Sequence, residues 1–290
     1  MNEETLSSGF FGEDITLDIY TDLKEFYTPA NGFSRLHLCR RYGKLHILKS
    51  LQPFYTSQEF YKQLLLKEFN IGYQLDHPNI RHTLGWEKND LLGNYIVLEY
   101  IDGIPLTTFI EQGKLTQALA YKFITEICNA LQYIHSKQLI HKDLKPNNIL
   151  ITHNGNNVKL IDFGLADCDD YEILKIPAGT EKYLAPEQLD PNATLDCRTD
   201  IYSLGIIIEE LATILKDRKL ASIAQKCTCQ NPNSRFNNTA EIVETLKSKS
   251  FGTIYKYAAF IIVSFLITFL YLQYPFAGNK SPNRNTITQV

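Results

Sequence analysis

Residues 141–150 read HKDLKPNNIL, a run of charged and amide side chains between two apolar segments. Ile140 precedes the run, and its last two residues begin the apolar stretch 149–151. Proline and asparagine favour turns for simple backbone reasons, so an ordinary surface turn is one interpretation. A loop that carries catalytic groups is the other. The rest of the chain decides between them.

Three side chains in or shortly after this loop, each with amide or carboxylate oxygens, stand at a recognisable spacing. Asp143 is followed five residues later by Asn148, and Asp162 comes 14 residues after that in the sequence IDFGL. The ordinary alternatives are that Asn148 is a turn residue and that Asp162 caps a turn before Gly164.

The order of apolar patterns predicts an α+β fold with two lobes. Short strand-like runs come first, interrupted by one helical stretch, and helical patterns dominate beyond Thr107. The strand-like runs are residues 33–41, 44–51 and 94–101, and the helical stretches are residues 57–75, 115–137 and 200–215.

The composition argues against several classes of function. A net charge of −3 over 290 residues gives no electrostatic basis for binding nucleic acid. The chain has six cysteines, and we expect no secretory signal peptide at its N-terminus. Cys227 and Cys229 form one C-x-C without a second pair or nearby histidines, which is a poor metal signal. We expect all six thiols to be reduced and structural.

The loop HKDLKPNN and the triplet DFG at 162–164 resemble the H-R-D-L-x-x-x-N and D-F-G motifs of the protein kinase family. The resemblance spans residues 20–250 and is to eukaryotic-like serine/threonine kinases, with the compact architecture of prokaryotic ones. It implies a small β-rich N-lobe and a larger helical C-lobe. Further family landmarks follow in the expected order: Lys49 in HILK, Glu68 before HPNI, Thr180 and 185–187 in GTEKYLAPE, Asp200 and Gly205 in DIYSLG, and Arg235 in NPNSRF as the partner of Glu187.

The resemblance also implies roles in phosphoryl transfer from Mg-ATP, where positioning and charge neutralisation do most of the catalysis. Asp143 is expected to accept the proton of the attacking hydroxyl. Asn148 and Asp162 are expected to bind Mg²⁺. Lys49, held by Glu68, is expected to neutralise the α- and β-phosphates. A plain surface ion pair of Lys49 and Glu68, worth at most about 1 kcal/mol, is the alternative.

Other matching positions concern the acceptor and the adenine. Lys145 resembles the lysine that contacts the γ-phosphate in serine/threonine kinases, which favours protein serine and threonine as acceptors. Adenine is expected to bind the backbone from Glu99 to Ile101, with Leu98 as the gatekeeper. His141 is expected to be a hydrogen-bonded core histidine.

The nucleotide-covering loop departs from the family pattern. Pro29, Asn31 and Ser34 stand where the family has glycines, and only Gly32 is nearby. Glycines at those positions let backbone N–H groups approach phosphate closely. We therefore expect ATP to be covered poorly or differently.

The activation segment, which runs from the DFG triplet to the A-P-E triplet at residues 162–187, also departs from the family pattern. Lys142 stands where regulated kinases have an arginine that pairs bidentately with a phosphate, and lysine lacks that fork. The segment has no serine. Its threonine, Thr180, contacts the catalytic loop in the family, and Tyr171 is the one other hydroxyl before it. We predict activity that does not depend on Ser/Thr phosphorylation of this segment.

Two departures concern helices. Only KDRKL, residues 216–220, separates the helix at 200–215 from the next one, so the helix that often docks substrates is expected to be missing. Gly72 takes a bulky packing position on the helix that carries Glu68 and is about 1 kcal/mol less favourable there than alanine. We expect Phe69 or Tyr73 to fill the gap.

The C-terminal part predicts a membrane anchor. No charged residue occurs from 257 to 279, and twenty helical residues span about 30 Å, the thickness of a bilayer core. A buried core helix is the alternative. Lys247, Lys249 and Lys256 precede the span, so the positive-inside rule places the large N-terminal part in the cytoplasm. The predicted segments are an extension at 1–18, a kinase domain at 19–250, a transmembrane helix at 255–276 and an extracytoplasmic tail at 277–290.

Three functions compete on this basis. The first is a membrane-anchored protein serine/threonine kinase that uses ATP and Mg²⁺. The second is a pseudokinase, a tethered binding module without turnover, which the degenerate loop favours and the intact proton acceptor Asp143 opposes. The third transfers phosphate to a small molecule, and Lys145 together with the A-P-E segment counts against it.

Overall fold

The structure, a computed structural model, describes residues 20–28, 32–166, 181–248 and 251–273. The chain divides into two compact units, residues 1–246 and 247–290. Several predictions fall outside the described residues: the extension at 1–18, loop positions Pro29 and Asn31, activation-segment residues Tyr171 and Thr180, and the tail at 277–290. They stay predictions.

An antiparallel five-stranded sheet and one helix form the N-terminal lobe of the first unit. The elements are β1 (Thr21–Tyr27), β2 (Ser34–Arg41), β3 (Lys44–Leu51), α1 (Glu59–Tyr73), β4 (Thr83–Asn89) and β5 (Gly93–Glu99). The strand order is β1-β2-β3-β5-β4. The predicted β2, β3, β5 and α1 are confirmed. The sequence did not single out β1 and β4, because they are the two edge strands and carry no continuous apolar run.

Alternation along β3 turns Lys49 toward α1. Successive strand residues point to opposite faces of a sheet. Leu48 and its cross-strand partner Val97 are buried on the face away from α1, whereas Ile47 packs with Leu65 of α1. Lys49 is two residues from Ile47 and therefore shares the face that meets the helix.

The C-terminal lobe is mainly helical, which confirms the predicted two-lobed α+β class. The helix α3 buries a stripe at three- and four-residue spacing, the pattern that the sequence predicted. The elements are β6 (Gly103–Pro105), α2 (Leu106–Glu111), α3 (Gln117–Ser136), β7 (Ile149–Thr152), β8 (Val158–Leu160), α4 (Cys197–Leu215), α5 (Arg218–Cys227) and α6 (Thr239–Lys247). β6, β7 and β8 form a small sheet in that order.

The connection between α4 and α5 is shorter than the five residues predicted, because Arg218 to Leu220 already belong to α5. Lys216 ends α4 in a left-handed conformation with φ of 53°. Asp217 then caps α5, since its carboxylate accepts hydrogen bonds from the N–H groups of Lys219 and Leu220 at 2.8 and 3.1 Å. Two residues thus separate the helices, and no further helix lies between them.

The space beside Gly72 is filled by Thr83 of β4, not by Phe69 or Tyr73 as predicted. A Cβ atom built on Gly72 would lie 2.3 Å from Oγ1 of Thr83 and 3.3 Å from its Cβ. The glycine is therefore required by close approach of a strand to the helix. The expected advantage of alanine at this position was also wrong, because it ignored this neighbour.

Gly72→Ala is expected to destabilise the protein by about 1–3 kcal/mol, because overpacking outweighs the better helix propensity of alanine. Urea unfolding of the full chain measures the change. Gly72→Ala combined with Thr83→Ala should recover most of the loss, since the hydroxyl is then gone. Equal losses in the single and double variants would contradict the close contact.

The second unit contains α7 (Phe251–Gln273). Its described side chains between Phe260 and Leu270 are exposed and mostly apolar. Within the described part of the chain, no helix combines the length and apolarity needed to cross a membrane.

Candidate active site

One buried ammonium group joins three parts of the fold. Lys49 of β3 donates hydrogen bonds to Oε1 of Glu68 on α1 at 2.6 Å and to Oδ1 of Asp162 at 3.1 Å. Lys49 and Glu68 are each only 5% exposed. The predicted contact between them is therefore present, and the alternative of a surface ion pair is wrong.

Burial alone would weaken the charges of this cluster, because it raises the pKa of carboxyl groups and lowers that of amines. For Asp162, the Lys49 ammonium outweighs burial and holds the pKa well below its usual range. For Lys49, the carboxylates of Asp162 and Glu68 outweigh burial and raise the pKa. Lys49 and Asp162 are thus charged at neutral pH, as neutralising phosphate and binding a cation require.

A second cluster is built by Asp143, Lys145 and Asn148 in the polar loop. Oδ2 of Asp143 accepts hydrogen bonds from Nζ of Lys145 at 2.7 Å and from Nδ2 of Asn148 at 2.9 Å. Nδ2 of Asn148 also donates to the main-chain carbonyl of Asp143 at 2.8 Å. These contacts hold the Asp143 carboxylate in one orientation.

The oxygen atoms left over in the two clusters fit a magnesium ion. Asn148 uses its amide nitrogen on Asp143, which leaves its oxygen for a cation. Oδ1 of Asp162 accepts from Lys49 and from the N–H of Gly164 at 3.2 Å, which leaves Oδ2. Mg²⁺ is commonly held by one or two such protein oxygens together with phosphates of the substrate.

Asp200 of α4 fixes the backbone of the polar loop. Its carboxylate accepts hydrogen bonds from the N–H groups of His141 and Lys142, both at 2.9 Å, and from Nε2 of His135 at 2.8 Å. Lys142 is left-handed, with φ of 65°. Sequence reasoning used Asp200 only as a landmark and missed this role. An acidic residue inside an apolar helix was the available signal.

His141 packs against the aromatic ring of the DFG triplet. Its ring centroid lies 5.1 Å from that of Phe163, and the residue is fully buried. Neither ring nitrogen has a hydrogen-bond partner among the described residues. The predicted hydrogen-bonded histidine is therefore wrong in its bonding, and the ring instead serves as a packing surface for Phe163.

The predicted adenine-binding segment begins at Glu99, the last residue of β5. Leu98 is buried behind it, and Ile101 is also buried. The main-chain N–H of Glu99 donates to the carbonyl of His82 at 3.0 Å, so this N–H is not available to adenine. The Glu99 carboxylate accepts from Lys159 at 3.3 Å. Adenine binding by the backbone of Glu99 and Ile101 stays a prediction.

The A-P-E segment is held by the partner that the sequence predicted. Arg235 donates to Oε1 and Oε2 of Glu187 at 2.7 and 2.8 Å. Such bidentate pairs are among the strongest side-chain contacts. Arg235 is buried, and Thr199 of α4 donates a further hydrogen bond to Glu187 at 3.1 Å. The pair ties the segment to the helical lobe.

The fold and these contacts define the class of two-lobed, protein kinase-like proteins. A family profile described as "Protein kinase domain" matches residues 32–251, so the chain belongs to the protein kinase family. This confirms the predicted family.

Similar proteins include serine/threonine kinases of bacteria. The chain is 35% identical over 179 residues to a probable serine/threonine-protein kinase of Clostridium perfringens. This alignment covers 60% of this chain and 26% of that protein. It is 35% identical over 172 residues to PrkC of Bacillus subtilis, and this alignment covers 57% of this chain and 26% of PrkC. It is 40% identical over 195 residues to PknB of Mycolicibacterium smegmatis, and this alignment covers 63% of this chain and 31% of PknB. The chain thus matches about a quarter to a third of the length of these curated relatives.

Proposed function

We propose that the chain is a protein serine/threonine kinase that transfers the γ-phosphoryl group of Mg-ATP to protein hydroxyls. The observation that carries the proposal is the position of Lys49, whose ammonium bonds both Glu68 and Asp162. An ammonium fixed between a helix and a predicted metal ligand is placed to neutralise phosphate charge next to the cation. The names of the similar proteins support serine and threonine as acceptors.

The roles of the other residues follow from the same chemistry. Asp143 accepts the proton of the attacking hydroxyl, since its carboxylate is oriented by Lys145 and Asn148. Lys145 pairs with the γ-phosphate by exchanging its hydrogen bond to Asp143 for one to the phosphate. Asn148 and Asp162 supply the oxygens for Mg²⁺, which when bound neutralises the charge that develops on the phosphates.

The proposal is tested by incubating the full chain with labelled ATP, Mg²⁺ and a general protein substrate, beside Lys49→Met. We expect label on serine or threonine, and a loss of at least about 100-fold in the variant, because fixed charge beside the reacting group contributes several kcal/mol. Phosphoamino acid analysis identifies the acceptor.

The other outcomes point to the competing functions. Equal label in both samples, or none in either, would support the pseudokinase, a nucleotide- or protein-binding module without turnover. Label on a small molecule alone would support the third function. Either result excludes the proposed protein kinase.

We also propose that α7 anchors the chain in the cell membrane with the kinase domain on the cytoplasmic side. The exposed apolar side chains of this helix support the proposal, as do Lys247 and Lys249, which precede it. Full chain expressed in cells is expected to remain in the membrane pellet at alkaline pH.

Ile262→Asp combined with Leu266→Asp is expected to release most of the protein, because each aspartate at the centre of a span costs about 3 kcal/mol. Ile262→Leu with Leu266→Ile is the matched control and should stay in the pellet. Release of the wild-type chain, or retention of the aspartate variant, would exclude the anchor.

A further inference from the structure

The described end of the nucleotide-covering loop lies close to the lysine that is predicted to neutralise phosphate. This end, residues 32–34, leads into β2. Leu36 of β2 is the cross-strand partner of Lys49, and Ser34 stands two residues before it. Directly opposed residues of two strands point to the same face of a sheet, and so do residues two apart in one strand. Ser34 therefore shares a face of the sheet with Lys49, about 7 Å further along the strands.

Gln52, the residue that follows β3, holds this end of the loop by two hydrogen bonds. Its main-chain N–H donates to the carbonyl of Phe33 at 2.8 Å, and its side-chain Nε2 donates to the carbonyl of Gly32 at 2.7 Å. Both distances are those of well-formed hydrogen bonds. The carbonyls of two successive loop residues are thus bound to one residue, which restricts the rotation of the loop backbone.

Aromatic rings join the same end of the loop to α1. The ring of Phe33 packs on that of Tyr61 of α1, with the centroids 5.5 Å apart and the planes tilted by 40°. Tyr61 in turn packs on Tyr55, which lies in the connection between β3 and α1, with the centroids 4.4 Å apart. All three rings are partly buried against the core that contains Leu65. They form an aromatic clamp, and such ring pairs stabilise a structure beyond the area that they bury.

The aromatic clamp is attached to the helix face that carries Glu68. Tyr61, Leu65 and Glu68 follow one another at four- and three-residue spacing, so they share one face of α1. The distance from Tyr61 to Glu68 along the helix axis is about 10 Å. The ring that holds the loop and the carboxylate that holds Lys49 therefore belong to the same side of one helix.

We propose that Phe33, Gln52 and Tyr61 are positioning residues that fix the nucleotide-covering loop beside the phosphates of ATP, in place of the glycines that the family pattern has there. This inference rests on the proposed kinase function. Glycines let a loop backbone approach phosphate closely. In this chain, contacts from Gln52 and from α1 order the end of the loop before the nucleotide binds, so that less conformational freedom is lost on binding.

A double-mutant cycle in the nucleotide-free full chain tests the contact between the loop and α1. Phe33→Ala and Tyr61→Ala are compared singly and together by thermal unfolding. We expect the losses of Tm in the two single variants to sum to about 2–4 °C more than the loss in the double variant, because the interaction of the pair can be lost only once.

Tyr73→Ala is the matched control, since Tyr73 is an aromatic residue of the same helix that is 60% exposed. Its loss of Tm should add to that of Phe33→Ala within about 1 °C. A cycle of Phe33 and Tyr61 that is as additive as this control would overturn the clamp.

Nucleotide affinity tests the positioning role without any need for turnover. Mg-ATP and adenosine are titrated separately into the full chain by calorimetry. We expect Phe33→Ala and Tyr61→Ala each to weaken the binding of Mg-ATP about tenfold and that of adenosine less than about twofold, since adenosine lacks the phosphates that the loop covers. The double variant should bind Mg-ATP within about twofold of either single variant, because all three break the same contact. Tyr61→Phe keeps the ring and should retain the wild-type affinity.

The remaining outcomes separate the inference from the function on which it rests. Equal losses for Mg-ATP and adenosine, or losses that multiply in the double variant, would overturn the positioning role. If Phe33→Ala does not fold, Gln52→Met replaces it, because it removes the side-chain hydrogen bond to Gly32, and the same difference between Mg-ATP and adenosine is expected. A wild-type chain that binds Mg-ATP without turnover would refute the proposed kinase function, and the titrations would still decide the role of the clamp. A wild-type chain that binds no nucleotide would refute both.

Discussion

Asp143→Asn is expected to lower kcat by about 100- to 10,000-fold, the range typical of general base catalysis. Asparagine is nearly the same size and can still accept hydrogen bonds from Lys145 and Asn148, which hold the aspartate at 2.7 and 2.9 Å. It cannot take up the proton of the attacking hydroxyl. The loss should therefore fall on kcat, with Tm changed by no more than about 2 °C.

The measurement is initial-rate phosphorylation with saturating Mg-ATP, beside thermal unfolding of the same samples. Asp90→Asn is the matched control, because Asp90 is an exposed aspartate in the turn between β4 and β5. It should keep the wild-type rate. A rate in Asp143→Asn within tenfold of wild type would show that another group accepts the proton.

Asp200→Leu is expected to reduce the free energy of unfolding by about 3–5 kcal/mol, a large part of the total stability of an ordinary domain. Leucine fills the buried space but accepts nothing, so the N–H groups of His141 and Lys142 and the ring of His135 lose their acceptor. Unpaired buried donors each cost about 1–3 kcal/mol. Urea unfolding of the full chain measures the loss. The free energy of unfolding of Asp200→Asn should lie between those of Asp200→Leu and wild type.

The pH dependence of this variant gives a second check. Burial would raise the pKa of Asp200, but its hydrogen bond from His135 and the neighbouring imidazoles outweigh burial and lower it from 3.8. A carboxyl group whose pKa is lowered by folding stabilises the protein above its unfolded pKa, and this contribution is lost as the pH falls through the folded value. The stability difference between wild type and Asp200→Leu should therefore be full at pH 7 and shrink below about pH 4. A difference independent of pH would show that the carboxylate charge does not contribute.

Much of the fold was predictable because its signals are local. The stripe of α3 and the apolar runs of β3 and β5 are periodic over a few residues, and the structure has elements at these places. The edge strands β1 and β4 were harder to predict, since exposed strands carry no apolar run. The family resemblance, not periodicity, led to Lys49 and its partner Glu68.

The predictions that failed all depended on a neighbour distant in sequence. Gly72 looked like a gap in the helix until Thr83 was found against it. His141 was expected to be hydrogen-bonded, but its ring packs on Phe163 without a partner for either nitrogen among the described residues.

The sequence by itself determined the family and the chemical types of the groups in the polar loop, since both depend on residue identity at short, fixed spacings. Only the tertiary structure decided which charges share one interior space. Lys49 and Asp162 are 113 residues apart in the chain, yet Nζ of Lys49 lies 3.1 Å from Oδ1 of Asp162 in the fold. Electrostatic interaction depends on distance through space and on burial, and neither quantity is encoded in the local pattern around a residue.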